Sequence, residues 1–210
     1  MKKNFLIAFF FFVQANISLS DSIIEERNFT IKAQISFLPP ISAMEIKTYL
    51  NISENNYKYI FKISTNQIIS FINEVNGTGE VFGRIDNGYK PMKYTYSYQR
   101  KKKDKFVEIE YLENKITTLI VKPDYDKSQL QPLTEDMLID TIDPSTFFLY
   151  LLDHDNINNC KKRFKIFDGK RRYDVIFKDQ LKNNDKNTIE CTAEQIKIGG
   201  YKEKESDIFA

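Results

Sequence analysis

The stretch KPMKYTYSYQRKKKDKFVEIEYLENKITTLIV, Lys90 to Val121, decides the fold class. Met92, Tyr94, Tyr96 and Tyr98 alternate with Lys93, Thr95 and Ser97, and Val107, Ile109 and Tyr111 alternate with Glu108 and Glu110. Successive side chains of a strand point to opposite faces. One apolar and one polar set at a period of two therefore mark an antiparallel strand with one face buried and one wet. The basic run Arg100 to Lys105 lies between the two strands and reads as a hairpin tip. Glu113-Asn114 then turns the chain into a short strand from Lys115 to Val121.

The same rhythm extends toward the N-terminus. Phe29, Ile31, Ala33, Ile35 and Phe37 alternate with polar residues until Leu38-Pro39-Pro40 ends the strand. Met44 to Ile52 alternates again, and Tyr57, Tyr59, Phe61 and Ile63 form a third set. Gln67 to Val75 fits either a strand or one to two helical turns. Asn76-Gly77 and Asn87-Gly88 are turn signals enclosing a strand from Thr78 to Asp86.

Toward the C-terminus, Lys122 to Thr134 is an irregular excursion with Pro123 and Pro132. Asp143-Pro144 opens a helix: the aspartate can accept the free amides of the first turn, and proline has no amide to lose at the first helical position. Phe147, Phe148, Leu149, Leu151 and Leu152 are apolar almost all round, which predicts a short buried helix. Arg163 to Phe167 and Arg171 to Phe177 are strands joined by a two-residue turn at Asp168-Gly169. Asn187 to Ile198 is another strand. Its apolar parity shifts between Ala193 and Ile196, which calls for a bulge near Glu194-Gln195. The resulting expectation is a mainly β, antiparallel protein with a strongly curved sheet or partial barrel and one short buried helix. Helical periods are too few for parallel βαβ units.

The chain begins with Lys2 and Lys3, an apolar run from Phe5 to Val13, and small residues at Ser18-Leu19-Ser20. This is the pattern of a secretory signal peptide over residues 1–20, its apolar run far below the ~20 residues a membrane span needs. Residues 21–210 then read as a single exported β-rich domain. The whole chain carries 31 Lys+Arg and 29 Asp+Glu, and removing the two leader lysines leaves a neutral domain. Such a balance argues against bulk nucleic-acid or anionic-membrane binding, which needs a basic excess. The two cysteines, Cys160 and Cys191, are an even pair in an oxidising compartment and read as one disulfide.

No constellation for catalysis is legible. His154, the only histidine, lies between Asp153 and Asp155 with no nucleophile assignable to it. There is no G-x-S-x-G, no phosphate-cradling glycine loop and no H-E-x-x-H. No metal site or cofactor is expected. The stripe Tyr94, Tyr96 and Tyr98 is either one face of an aromatic core or the lining of a ligand cleft. Arg171 and Arg172 point to opposite faces of their strand, so one must turn inward and needs a partner, for which Asp168 and Asp174 are the candidates.

The segment Phe167 to Val175, with Asp168, Gly169, Arg171, Arg172, Tyr173 and Asp174, resembles the signature of an exported bacterial family, domain of unknown function 3108 (DUF3108). The resemblance is strong from Asp143 to Tyr201 and looser from Phe29 to Val121. The cysteine before the hairpin and the segment Ile196 to Tyr201 are similar to an alphaproteobacterial branch. Family members continue with further strands, so this chain resembles a short member or a piece of a longer one. What the resemblance implies is an envelope protein with no assigned catalytic residues, located in the periplasm of a Gram-negative bacterium. The signature hairpin is expected to be structural. The functional expectation is a non-enzymatic protein binding a lipid or other apolar ligand in a β cleft. The alternative is an assembly or scaffold partner in the envelope, docking through an edge strand or the Lys101–Lys105 tip. The chain is not expected to be an integral membrane protein.

Overall fold

The computed structural model describes residues 23–33, 41–65, 75–100, 103–152, 162–183 and 188–203. The leader, the 66–74 segment, His154 and Cys160 lie outside these, so the expectations placed on them are not read from the structure.

Among the described residues, ten strands form two antiparallel sheets. The first is a seven-stranded meander in chain order: β1 (Ile23–Ala33), β2 (Ile41–Ser53), β3 (Asn56–Thr65), β4 (Val75–Ile85), β5 (Tyr89–Arg100), β6 (Lys103–Leu112) and β7 (Lys115–Lys122). The second contains β8 (Arg163–Phe167), β9 (Arg172–Asn183) and β10 (Thr188–Gly199), with β9 in the centre. The first sheet is open, with β1 and β7 as its edges. Two short helices, α1 (Glu135–Leu138) and α2 (Pro144–Leu152), lie in the connection between the sheets.

The turns show which local signals carried the chain direction. Glu113 and Asn114, both at positive φ (48° and 64°), join the paired residues Leu112 and Lys115. Both residues of a type I′ hairpin turn need that conformation. Asn87 and Gly88 likewise turn β4 into β5. Asn76-Gly77 does not turn the chain; it lies inside β4, with Gly77 opposite Ile63 and Tyr98. A Cβ on Gly77 would stand 2.8 Å from Ile63 Cγ2, so this glycine makes room for its neighbours instead of reversing the backbone. The bulges also differ from expectation. The β9–β10 register shifts at Cys191/Thr192 and at Lys197/Gly199, not at Glu194-Gln195. The first shift skips Asp179 of β9, a residue that the parity of β10 alone cannot report.

One face of the large sheet is apolar. Tyr57, Tyr59, Val81, Tyr94, Val107, Ile109 and Tyr111 are buried on it and pack with Leu149 of α2. The other face is wet and carries cross-strand ion pairs, Lys58–Glu80 at 2.9 Å and Lys93 with both Glu110 (2.9 Å) and Glu108 (3.2 Å). These exposed pairs contribute little to stability and keep the face soluble.

α2 sits between the two sheets. Toward the large sheet, the Thr146 hydroxyl meets Tyr57 Oη at 3.3 Å and the Tyr150 ring packs edge-on against Tyr89 at 5.2 Å. Toward the small sheet, Phe147 packs on Phe164 of β8 at 5.3 Å, and Phe164 on Phe177 of β9 at 6.0 Å. Being apolar nearly all round is what a helix needs when both sides are covered. Its ends are capped as its dipole requires. Asp143 accepts from the Ser145 amide (2.8 Å) and the Thr146 amide (2.9 Å), and Arg27 Nη1 of β1 donates to the Leu152 carbonyl at 3.0 Å.

The small sheet is also tied in through the backbone. The Ile142 amide donates to the Lys165 carbonyl (2.9 Å) and the Phe167 amide to the Ile142 carbonyl (3.0 Å), adding a parallel bridge beside β8.

Candidate functional site

The β8–β9 hairpin, where the sequence is most distinctive, is held from three directions. Asp168 Oδ1 accepts the Lys170 amide (2.9 Å) and the Arg171 amide (2.6 Å), while the Asp168 amide donates to the Arg171 carbonyl at 3.1 Å. The two central turn residues are therefore Gly169 and Lys170, one position later than the Asp168-Gly169 turn expected. The aspartate serves as the bracket of the turn, because its short carboxylate reaches the amides that follow it. Gly169 takes φ +91° and lies against Val107 and Val121 of the large sheet. The Tyr125 hydroxyl donates to the Gly169 carbonyl at 3.1 Å. On the far side, Gly200 (φ +79°) brings its backbone so close that a Cβ there would stand 1.9 Å from the Lys170 carbonyl oxygen.

The two arginines do divide between faces. Arg172 turns inward, with its side chain 5 % exposed and its Nη1 2.6 Å from Asp174 Oδ1; Asp174 is fully buried. Arg172 Nε donates to the Met137 carbonyl of α1 at 2.8 Å. Arg171 is half-buried, 3.5 Å from Asp168 Oδ2, its guanidinium 5.8 Å over the buried Tyr201 ring. Tyr173 is half-buried, and burial raises its hydroxyl above the ordinary tyrosine value.

Sequence reasoning missed the third member of this network. Arg163, at the start of β8, donates from Nε to Asp174 Oδ2 at 2.8 Å and also pairs with that oxygen through Nη2. One buried carboxylate thus holds two guanidiniums, one inside the fold and one at its surface. The β8–β9 register places Lys165 opposite Asp174 and Arg163 opposite Ile176, a pairing that the hairpin turn implies but that reveals nothing about side-chain reach.

A second buried polar cluster lies under the first turn of α2. Thr146 Oγ1 donates to Asp143 Oδ2 at 2.6 Å. That proton being spent, the Tyr57 hydroxyl is the donor in its 3.3 Å contact with Thr146. Burial pushes the Asp143 carboxyl above the usual carboxylate range, opposed by the Thr146 hydroxyl and the Thr146 and Ser145 amides. Burial likewise pushes the Tyr94 and Tyr111 hydroxyls well above their ordinary value, with the Asp143 charge adding to the effect. These groups cap a helix and fill a core. They do not form a nucleophile–base pair, and no cluster of three metal-ligating side chains occurs among the described residues.

The tyrosine stripe splits between its two readings. Tyr94 is 3 % exposed and belongs to the core beneath α2. Tyr96 and Tyr98 are half-buried farther along β5, their rings 6.1 Å apart. Tyr96 stacks on Phe61 of β3 at 5.8 Å, with the two rings lying over Gly79 of the strand between them. A Cβ on Gly79 would stand 1.9 Å from Phe61 Cε1. Burial raises the Tyr96 hydroxyl to about 12. Cys191 lies in β10, but its side chain, like Cys160, is outside the described residues.

A family model described as a protein of unknown function (DUF3108) matches residues 29–207, which takes in the first sheet from the second half of β1 onward, α2 and the β8–β9 hairpin. The chain belongs to the DUF3108 family. The match covers the looser N-terminal part of the resemblance as well as the hairpin, so in this DUF3108 member the two sheets are both family structure. No curated protein and no solved structure matches the chain. No helix among the described residues is long and apolar enough to cross a membrane.

Proposed function

We propose that this DUF3108 member is a non-enzymatic protein of the Gram-negative periplasm or cell envelope, and that it holds a lipid or other apolar ligand against the aromatic face of the large sheet. The observation that carries this reading is the sector formed by Phe61, Ile63, Tyr96 and Tyr98. All four are half-buried on the apolar face. The helix meets that face through Tyr57 and Tyr89, and this sector lies farther along β3 and β5. Tyr94 fills the space beneath the helix, so the seat of the ligand is past α2 and not under it. Flat rings over a glycine give a broad apolar surface with few polar groups, which suits an acyl chain. The leader-like start at Lys2 and Lys3 supports export. The pair Cys160 and Cys191 is proposed to be a disulfide, consistent with an oxidising compartment.

Native mass spectrometry of the protein purified from its own periplasm, followed by lipid extraction, tests the proposal. A co-purifying lipid that is lost in Tyr96→Asp supports it. An empty protein, or a lipid retained equally by Tyr96→Asp, overturns it.

A second reading, an envelope assembly partner, is favoured by β7. Among the described residues this edge strand pairs on one side only, and it exposes Leu119 (38 %) and Ile120 (37 %). An unpaired strand edge can accept a strand from another chain. A reproducible protein partner with no lipid in the same preparation would favour it.

A further inference from the structure

Lys105 falls where the sequence places the tip of a basic hairpin, yet it lies inside β6, directly opposite Tyr98 of β5. The β5–β6 pairing runs without a register shift from Lys93 and Glu110 to Arg100 and Lys103. Lys105 therefore shares the apolar face with Tyr96, Tyr98 and Val107. It is half-buried there. The neighbouring strands bring Phe61 and Ile63 of β3 and the side-chain-free Gly77 and Gly79 of β4 to the same sector. Among the described residues, Lys105 is the one charged side chain in this sector, and no carboxylate pairs with it. The acids of β6, Asp104, Glu108 and Glu110, lie on the wet face, where Lys93 takes the last two. Asp168, in the hairpin tip that rests on Val107, is taken up by the Lys170 and Arg171 amides and by the Arg171 side chain.

We propose that the apolar ligand is a long-chain fatty acid, its carboxylate on the Lys105 ammonium and its chain laid across Tyr98, Tyr96 and Phe61. This deepens the function proposed above and rests on it, since without an apolar ligand on this face there is no head group to place. The first argument is layout. A lysine on an apolar surface lays its methylene stem along that surface and holds its ammonium at the water margin. An amphiphile on the same surface is arranged in the same way, so head group and ammonium meet at the margin. From β3 to β6 is three strand spacings, about 14 Å, a distance that one long acyl chain covers.

The second argument is charge. A half-buried ammonium with no acid on its own face carries one uncompensated positive charge, and desolvating it is favourable only when an anion meets it. A fatty carboxylate brings one negative charge. A phosphate monoester brings about −1.5 to −2 and would itself be left half matched. Tyr98, the cross-strand neighbour of Lys105, adds a hydroxyl donor beside the ammonium.

The test separates the head group from the chain. The full folded chain is titrated calorimetrically with lauric acid and with dodecanol, which share a chain and differ in the charge of the head, and two-dimensional NMR of the backbone amides locates what binds. Lauric acid should bind about tenfold or more tightly than dodecanol, the factor that one charge-assisted contact supplies. Saturable amide shifts should appear at Phe61, Tyr96, Tyr98 and Lys105. Lys105→Met keeps an apolar stem without the charge. It should abolish the preference for the acid while leaving dodecanol affinity and the melting temperature as in wild type. Lys105→Arg should retain the preference. Equal affinities in the wild type, or a preference that survives Lys105→Met, overturn the head-group assignment and leave the apolar ligand standing. Binding of neither compound overturns both. Sedimentation with phosphatidylglycerol vesicles in a chain that ignores lauric acid would assign the face to a two-chain lipid and likewise overturn the fatty acid.

Discussion

Gly169 and Val107 are 62 residues apart in the chain, yet they touch: a Cβ built on Gly169 would stand 2.6 Å from Val107 Cγ1. The tip of the small sheet's hairpin is thereby seated on a buried strand of the large one. The hairpin that carries the family resemblance in this sequence is thus also the joint between the two sheets. The bracket by Asp168, the Tyr125 hydrogen bond and the close approach of Gly200 all serve that seating.

Gly169→Ala should therefore destabilise the fold on two counts, a positive φ that a side chain resists and a methyl group driven into Val107. The expected loss is about 1–3 kcal/mol, read from urea unfolding. Pairing it with Val107→Ala should recover part of the loss, because the smaller residue makes room. Independent, additive effects of the two changes would contradict direct contact.

Arg172 and Arg171 should differ although they are adjacent. Arg172→Leu removes the inner partner of a fully buried Asp174 and should cost about 3 kcal/mol or more. Arg171→Leu breaks a half-buried, longer pair with Asp168 and should cost less than Arg172→Leu, because Asp168 keeps the Lys170 and Arg171 amides as partners. Thermal unfolding of the two variants decides the point, and equal losses would mean that the buried network is not as described.

Asp143 gives the pH dependence a definite sign. Its carboxyl is held above its unfolded value of about 3.9 by burial. The native state then binds the proton more tightly than the unfolded chain. Its contribution is fully present below the unfolded value, falls as pH rises through the raised native value, and is flat above it. Asp143→Asn, uncharged throughout, should lack this decline while keeping an oxygen to cap the helix. The stability difference between variant and wild type should shift in the variant's favour as pH rises through that window. Urea unfolding at a series of pH values measures it, and parallel curves would refute the assignment.

Gly79→Val should displace the Phe61 ring, since even a Cβ there would be 1.9 Å from Phe61 Cε1. Overpacking of this kind costs about 1–3 kcal/mol. Phe61→Ala combined with Gly79→Val should restore part of the loss, whereas Tyr59→Ala, on the same face but opposite Val81, should not. Calorimetric melting of the variants would show it.

Mass spectrometry of non-reduced protein from the periplasm should find a chain beginning at Asp21 and a disulfide between Cys160 and Cys191. Two freely alkylated thiols would refute the bridge, and an intact leader would refute the cleavage.

What the sequence determined by itself was local. Alternation along Tyr94 to Tyr98 and Val107 to Tyr111 set strands and their two faces, because a strand's side chains must alternate. Glu113-Asn114 and Asn87-Gly88 set hairpins, because few residues accept positive φ. Asp143-Pro144 set the start of α2, because a helix leaves its first amides free. The inward and outward split of Arg171 and Arg172 followed from the same alternation, but which one turned inward did not. That was decided by where the apolar side of β9 met the rest of the chain. Other features needed the tertiary structure for the same reason. Gly77 reads as a turn until Ile63 and Tyr98 are placed beside it, and Arg163 reads as a surface cation until Asp174 is placed within its reach. The division into two sheets, with α2 between them, also depends on partners far apart in the chain. Alternation tells each strand which face to bury, and only packing decides against what.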